Sequence, residues 1–112
     1  MISQAPIRSL VLLTAFALFP ASVGAGSSTR GYVSHRISSC DYFLVQTANG
    51  YDLLEWYGGN DPDRGDVLVG RYEEYGFHDI VNETADEGLH IYTEDYQLSK
   101  SDGLEQLTDK CQ

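Results

Sequence analysis

The densest group of side chains able to do chemistry is Asn60-Asp-Pro-Asp-Arg-Gly-Asp66, in which Asp61, Asp63 and Asp66 supply carboxylates and Asn60 an amide oxygen. Hard oxygen donors of this kind suit Ca2+. The spacing departs from an EF-hand loop, which needs Gly sixth and a bidentate Glu twelfth. Counted from Asp61, Gly65 is fifth and Tyr72 twelfth. The simpler reading is a proline-containing turn whose Asx side chains cap their own backbone. A Ca2+-binding module built on Asp61, Asp63 and Asp66 is the alternative. Arg64-Gly65-Asp66 spells an adhesion tripeptide, too short a match to carry weight.

His35, His78 and His90 lack the i, i+2 or i, i+4 spacing of a ligand pair. His78 and His90 approach each other only if the two strands that carry them pair. Ser, His and Asp all occur, but no nucleophile elbow or glycine-rich phosphate loop frames them. A glycosidase-type carboxylate pair would require a separation that sequence does not give. The expected protein is therefore non-enzymatic and needs no cofactor. Asn82-Glu-Thr84 matches a glycosylation sequon.

The remaining reactive groups are Cys40 and Cys111, and their meaning depends on the compartment. Arg8, the apolar run Leu10–Phe19 and the small-residue segment Ala21–Ala25 follow the grammar of a secretory signal peptide. The apolar run is shorter than the ~20 residues that span a bilayer. Residues 1–25 are accordingly expected to be removed after Ala25, leaving an exported chain, secreted or periplasmic, with no membrane insertion. In an oxidising compartment an even pair of cysteines reads as a disulfide. Cys40–Cys111 would close almost the whole folded region.

The chain carries a formal charge of −10, from 7 basic and 17 acidic residues. Loss of the leader removes Arg8 and makes the balance more acidic still. Nucleic acid and anionic lipid are poor partners for such a chain, because binding them rests on Lys and Arg.

The elements that would position these groups begin with a hairpin. Asn49-Gly50, set between two β-rich runs, is a strong type I′ turn signal. Taken as the central turn residues, it pairs Val45 with Leu54 and Phe43 with Trp56. Alternation then places Phe43, Val45, Leu54 and Trp56 on one face and Tyr42, Leu44, Tyr51, Leu53 and Tyr57 on the other. Both faces are apolar, so the second must be covered, by the rest of the chain or by a partner.

Further strands are expected at 66–72, 77–82 and 89–96, with polar turns between them. Ser99 or Ser101 would cap a C-terminal helix that places Leu104, Leu107 and Cys111 on one stripe. The disulfide would then bring Leu104 and Leu107 near Tyr42 and Leu44. Residues 26–39 read as a flexible arm with an optional edge strand over 32–37, and 40–112 as a single β-rich domain. The expected fold is a small five-stranded antiparallel meander or SH3-like barrel with a short C-terminal helix.

Together these features point to an acidic protein-interaction domain, in its sharper form an inhibitor or immunity-type binder of a basic secreted enzyme. The expected partner is a cationic protein or a second copy, engaged through Tyr42, Leu44, Tyr51, Leu53 and Tyr57. A structural domain of an envelope assembly is a further alternative.

Overall fold

A computed structural model describes residues 27–112. The expected leader at 1–25 lies outside the described residues. The chain forms β1 (Thr29–Arg36), β2 (Tyr42–Thr47), β3 (Gly50–Gly59), β4 (Val67–Gly70), β5 (Gly76–Asn82), β6 (Glu87–Leu98) and α1 (Lys100–Lys110). The strands close into an antiparallel barrel in the order β1-β2-β3-β6-β5-β4, with β4 pairing back onto β1. The expected mainly β fold with a C-terminal helix is present, with one strand more than the five anticipated.

The extra strand is the segment expected as an arm. β1 pairs with β2 on one side and β4 on the other, so it closes the barrel instead of lying at an edge. Closure satisfies the backbone groups that an open meander would leave along two edges. The register shifts between Val33 and His35. That bulge breaks the period-2 pattern by which sequence would reveal the strand.

The hairpin's two faces are as the alternation requires, but its register is offset. Phe43 pairs with Leu54, Leu44 with Leu53 and Thr47 with Gly50. Ala48 and Asn49 are therefore the turn residues, and Gly50 is the first residue of β3. Gly50 has φ +129°, and a Cβ there would lie 2.6 Å from the Leu98 carbonyl oxygen. Close passage of the end of β6, together with the turn, selects glycine.

Inside the barrel, Phe43, Val45, Leu54, Leu68, Tyr72, Ile80, Leu89 and Ile91 join Val33 in a continuous core, with Trp56 packed against it. Tyr72 is fully buried, and its hydroxyl donates to the Leu68 carbonyl at 2.9 Å. A buried phenol needs such a partner.

A second, smaller core lies outside the barrel wall. Leu44 and Leu53 are 0% exposed beneath α1, packed with Leu107 and flanked by Tyr42, Tyr51, Leu98, Leu104 and Cys111. Ser99 caps the helix by accepting from the Asp102 amide, as its residue type predicts. The Cys40–Cys111 disulfide ties the helix end to the residues just before β2, with Cα atoms 5.6 Å apart.

Gly103 sets how closely the helix sits, since a Cβ there would meet Tyr51 Cβ at 3.3 Å and both Leu44 δ carbons at 3.4 Å. Glycine inside a helix costs about 1 kcal/mol relative to alanine, and here it permits close packing. Gly103→Leu is expected to lift α1 and lower stability by about 1–3 kcal/mol. An unchanged urea midpoint would show that the helix does not depend on this approach.

Candidate functional site

The residues expected to form a binding surface divide between two environments. Leu44 and Leu53 are fully buried and Tyr42 and Tyr51 partly buried, all under α1. The hairpin's second face is therefore covered by the protein's own helix. Lys110 completes this covering, its ammonium 5.5 Å from the Tyr42 ring centroid and 3.2 Å from a Glu94 carboxylate oxygen. Tyr57 alone belongs to an open surface.

That surface is the outer side of β3, β6 and β5. Side chains alternate along each strand, so Tyr57 of β3, Tyr92 and His90 of β6 and Phe77 of β5 all face outward. The pairings of Phe77 with Tyr92 and of Asp79 with His90 bring them together. Phe77 stands edge-on to Tyr57 at 4.9 Å and to Tyr92 at 4.8 Å between centroids. The His90 ring stacks on Phe77 at 5.4 Å, with 4° between the ring planes. Tyr57 is 51% and Phe77 54% exposed. One residue before β5, Tyr75 packs on Tyr96 at 4.9 Å and is 63% exposed.

Carboxylates surround these rings. Asp79 accepts from His90 Nδ1 at 2.6 Å, and Asp95 accepts from the Tyr75 hydroxyl at 3.3 Å. Burial against its neighbours and then the Glu55 carboxylate push the Tyr57 phenol up, with Tyr92 and Glu94 adding to the shift. The Tyr75 phenol is raised first by the charge of Asp95. The Tyr75 shift, and the Glu55 part of the Tyr57 shift, reflect negative potential beside an apolar patch, where a cation would be attracted to ring faces and carboxylates alike.

The other candidate residues are engaged in the fold. Asp61 forms an ion pair with Arg36 at 2.9 Å, while Asp66 Oδ2 accepts from the Asp63 amide at 2.9 Å and from Asn82 Nδ2 at 2.8 Å. This is the Asx-capped turn, and its carboxylates are turned to separate tasks. Among the described residues, no group of three or more His, Cys, Asp or Glu side chains is placed to hold a metal ion.

Asn82, the sequon asparagine, is fully buried, with Nδ2 donating to both Asn60 Oδ1 and Asp66 Oδ2. Its Oδ1 accepts from the Ala85 amide at 3.1 Å, so the side chain ties the β3–β4 loop to the β5–β6 turn and is inaccessible to a glycosyl donor in the folded protein. His78 and His90 do not meet across the β5–β6 pair: His78 Nε2 contacts the Glu74 carbonyl at 2.7 Å, and His90 turns to Asp79.

Among the described residues no helix is long and apolar enough to cross a membrane. The disulfide is compatible with an extracellular or periplasmic location. Comparison with protein-family models, with curated proteins and with solved structures returns no match.

Proposed function

We propose that this protein is an exported, non-enzymatic interaction domain whose outer β3–β6–β5 face binds a cationic protein. The observation that carries the reading is the exposed Tyr57–Phe77–Tyr92–His90 cluster within a rim of carboxylates. Large aromatic side chains are preferred anchors of protein interfaces. Contiguous exposed apolar surface of this kind marks such a site.

Charge selects the partner. Glu55, Asp79 and Asp95 lie near the rings, with Glu94 beside them paired to Lys110, and the whole chain carries −10. An acidic surface of this kind accelerates association with a basic protein and excludes acidic ones. The signal-peptide grammar of residues 1–25 and the disulfide support an encounter outside the cytoplasm, where a secreted basic hydrolase is a suitable target. In that setting the domain acts as an inhibitor or immunity-type binder.

A cationic lysozyme and a cationic ribonuclease serve as probes. Titration of each with the oxidised protein should reveal binding at low salt that weakens at least about tenfold at physiological ionic strength. Absence of binding to both at low salt, or an affinity independent of salt, would refute the reading.

A further inference from the structure

Among the described residues, Asp52 is a fully buried acid that the binding face does not use. Asp52, on the core side of β3, is 0% exposed. Its Oδ1 accepts from the Gln97 amide at 2.9 Å, whereas Oδ2 accepts from no donor among the described residues. An ionised carboxylate in that position would lack half of its solvation, at a cost that buried charges rarely sustain.

Beside it stands Glu73, on the β4–β5 connection. Glu73 Oε2 accepts from Thr47 Oγ1 at 2.9 Å, and Oε1 accepts from Asn49 Nδ2 at 2.8 Å and Gln97 Nε2 at 3.4 Å. Glu73 is thus supplied with donors while Asp52 Oδ2 has none, and one proton between the two carboxyl groups resolves the mismatch.

We propose that Asp52 and Glu73 share a proton, donated from Asp52 Oδ2 to Glu73, and that it latches the barrel end formed by the β2–β3 turn, the β4–β5 connection and the end of β6. Gln97, in the positive-φ region at +56°, is held there by the hydrogen bond that its backbone N–H donates to Asp52 Oδ1. Loss of the proton would place two adjacent carboxylates at the junction of all three segments.

The ionisable groups facing Asp52 reinforce this state. Glu73 and the Tyr72 phenol both come from the β4–β5 connection, and neither supplies positive charge. β2 and β6 present the neutral Thr47 and Gln97, and the turn presents Asn49. Arg30 of β1 and Arg71 line the cavity at this end, but they pair with Glu83 and Glu74 respectively. Burial first, and then Glu73, raise the Asp52 carboxyl from 3.8 to about 8, against the Gln97 bond that lowers it. Burial also opposes the charge of Glu73, but bonds from Asn49, Asp52, Thr47 and Gln97 prevail and hold it below the usual carboxylate range.

The sign of the pH dependence follows from proton counting. The native state keeps on Asp52 a proton that the unfolded chain releases near 3.8, so the Asp52 contribution to stability declines as pH rises from 3.8 to about 8 and is level above that. The lowered Glu73 carboxyl acts with the opposite sign, its stabilisation being lost in acid as pH falls below 4.5. The latch is closed through neutral pH and loosens in mild alkali, as pH passes about 8.

The test compares the wild-type protein with Asp52→Asn in denaturant titrations across this range. Asn is close in size, keeps an acceptor for Gln97 and supplies a permanent donor to Glu73. The expected result is a declining stability profile in the wild type that is flattened in Asp52→Asn, with the variant more stable at pH 8. Equal slopes, or a variant less stable at every pH, would overturn the proposal. Carbon NMR of the Asp52 carboxyl in the wild type gives a direct check. Its midpoint should lie near 8 and fall by about one unit or more in Glu73→Gln. A midpoint in the ordinary aspartate range, or one insensitive to Glu73→Gln, would equally overturn the shared proton.

Discussion

Loss of the Cys40–Cys111 disulfide, by reduction or by a Cys40→Ser/Cys111→Ser double change, is expected to lower stability by about 4 kcal/mol. The bridge spans 71 residues, from the approach to β2 to the end of α1, and so constrains nearly the entire folded chain. In the chain-entropy view it removes conformations from the unfolded state, an effect that grows slowly with loop length. Its native role here is equally specific. α1 rests on the barrel through Leu107 and Leu104 around the close contact at Gly103. Without the tether, an 11-residue helix would be marginal by itself. Denaturant unfolding of the oxidised and reduced proteins measures the difference. A change under about 1 kcal/mol would show that helix packing suffices without the bridge.

Leu53→Lys is expected to produce a comparable loss, about 3 kcal/mol or more, without changing the oligomeric state. Leu53 is 0% exposed in the outer core with Leu44 and Leu107. An ammonium there must be desolvated without a partner or must displace α1, and either outcome is costly. Light scattering and thermal unfolding together separate covering by the helix from self-association. A destabilised monomer is the expected variant, from a monomeric wild type. A wild-type dimer converted into an equally stable monomer would mean that a second copy shares this face.

The inward and outward faces of the hairpin were legible because alternation depends only on parity, which a two-residue offset leaves unchanged. The same parity puts Asp52 on the core side. A polar residue so near a turn gives no sequence signal of burial, and the acid facing it, Glu73, is 21 positions further along the chain. The offset arose because Asn49-Gly50 carries a strong turn preference, whereas Gly50 also answers to the passage of Leu98. That contact is not written locally.

β1 was hidden by its polar start, Thr29-Arg30-Gly31, and by its bulge. The aromatic face was hidden for a different reason. Phe77 is an apolar residue in a strand, the type that normally points inward, yet His78, Ile80 and Asn82 occupy the inward positions of β5 and Phe77 is left outside. Only the joining of β3, β5 and β6 brings it to Tyr57 and Tyr92. The C-terminal helix was legible throughout, from its Ser99 cap to its leucine stripe, because those signals lie within one turn or two of each other.

The most direct measurement is the low-salt affinity of a Tyr57→Ala/Phe77→Ala double variant for whichever cationic probe the wild type binds. Both side chains are more than half exposed, so folding should be little affected, as a thermal melt will verify. A loss of at least about 30-fold, the scale of an interface hot spot, is expected. Undiminished affinity in a folded double variant would place the partner elsewhere and contradict the assignment of this face.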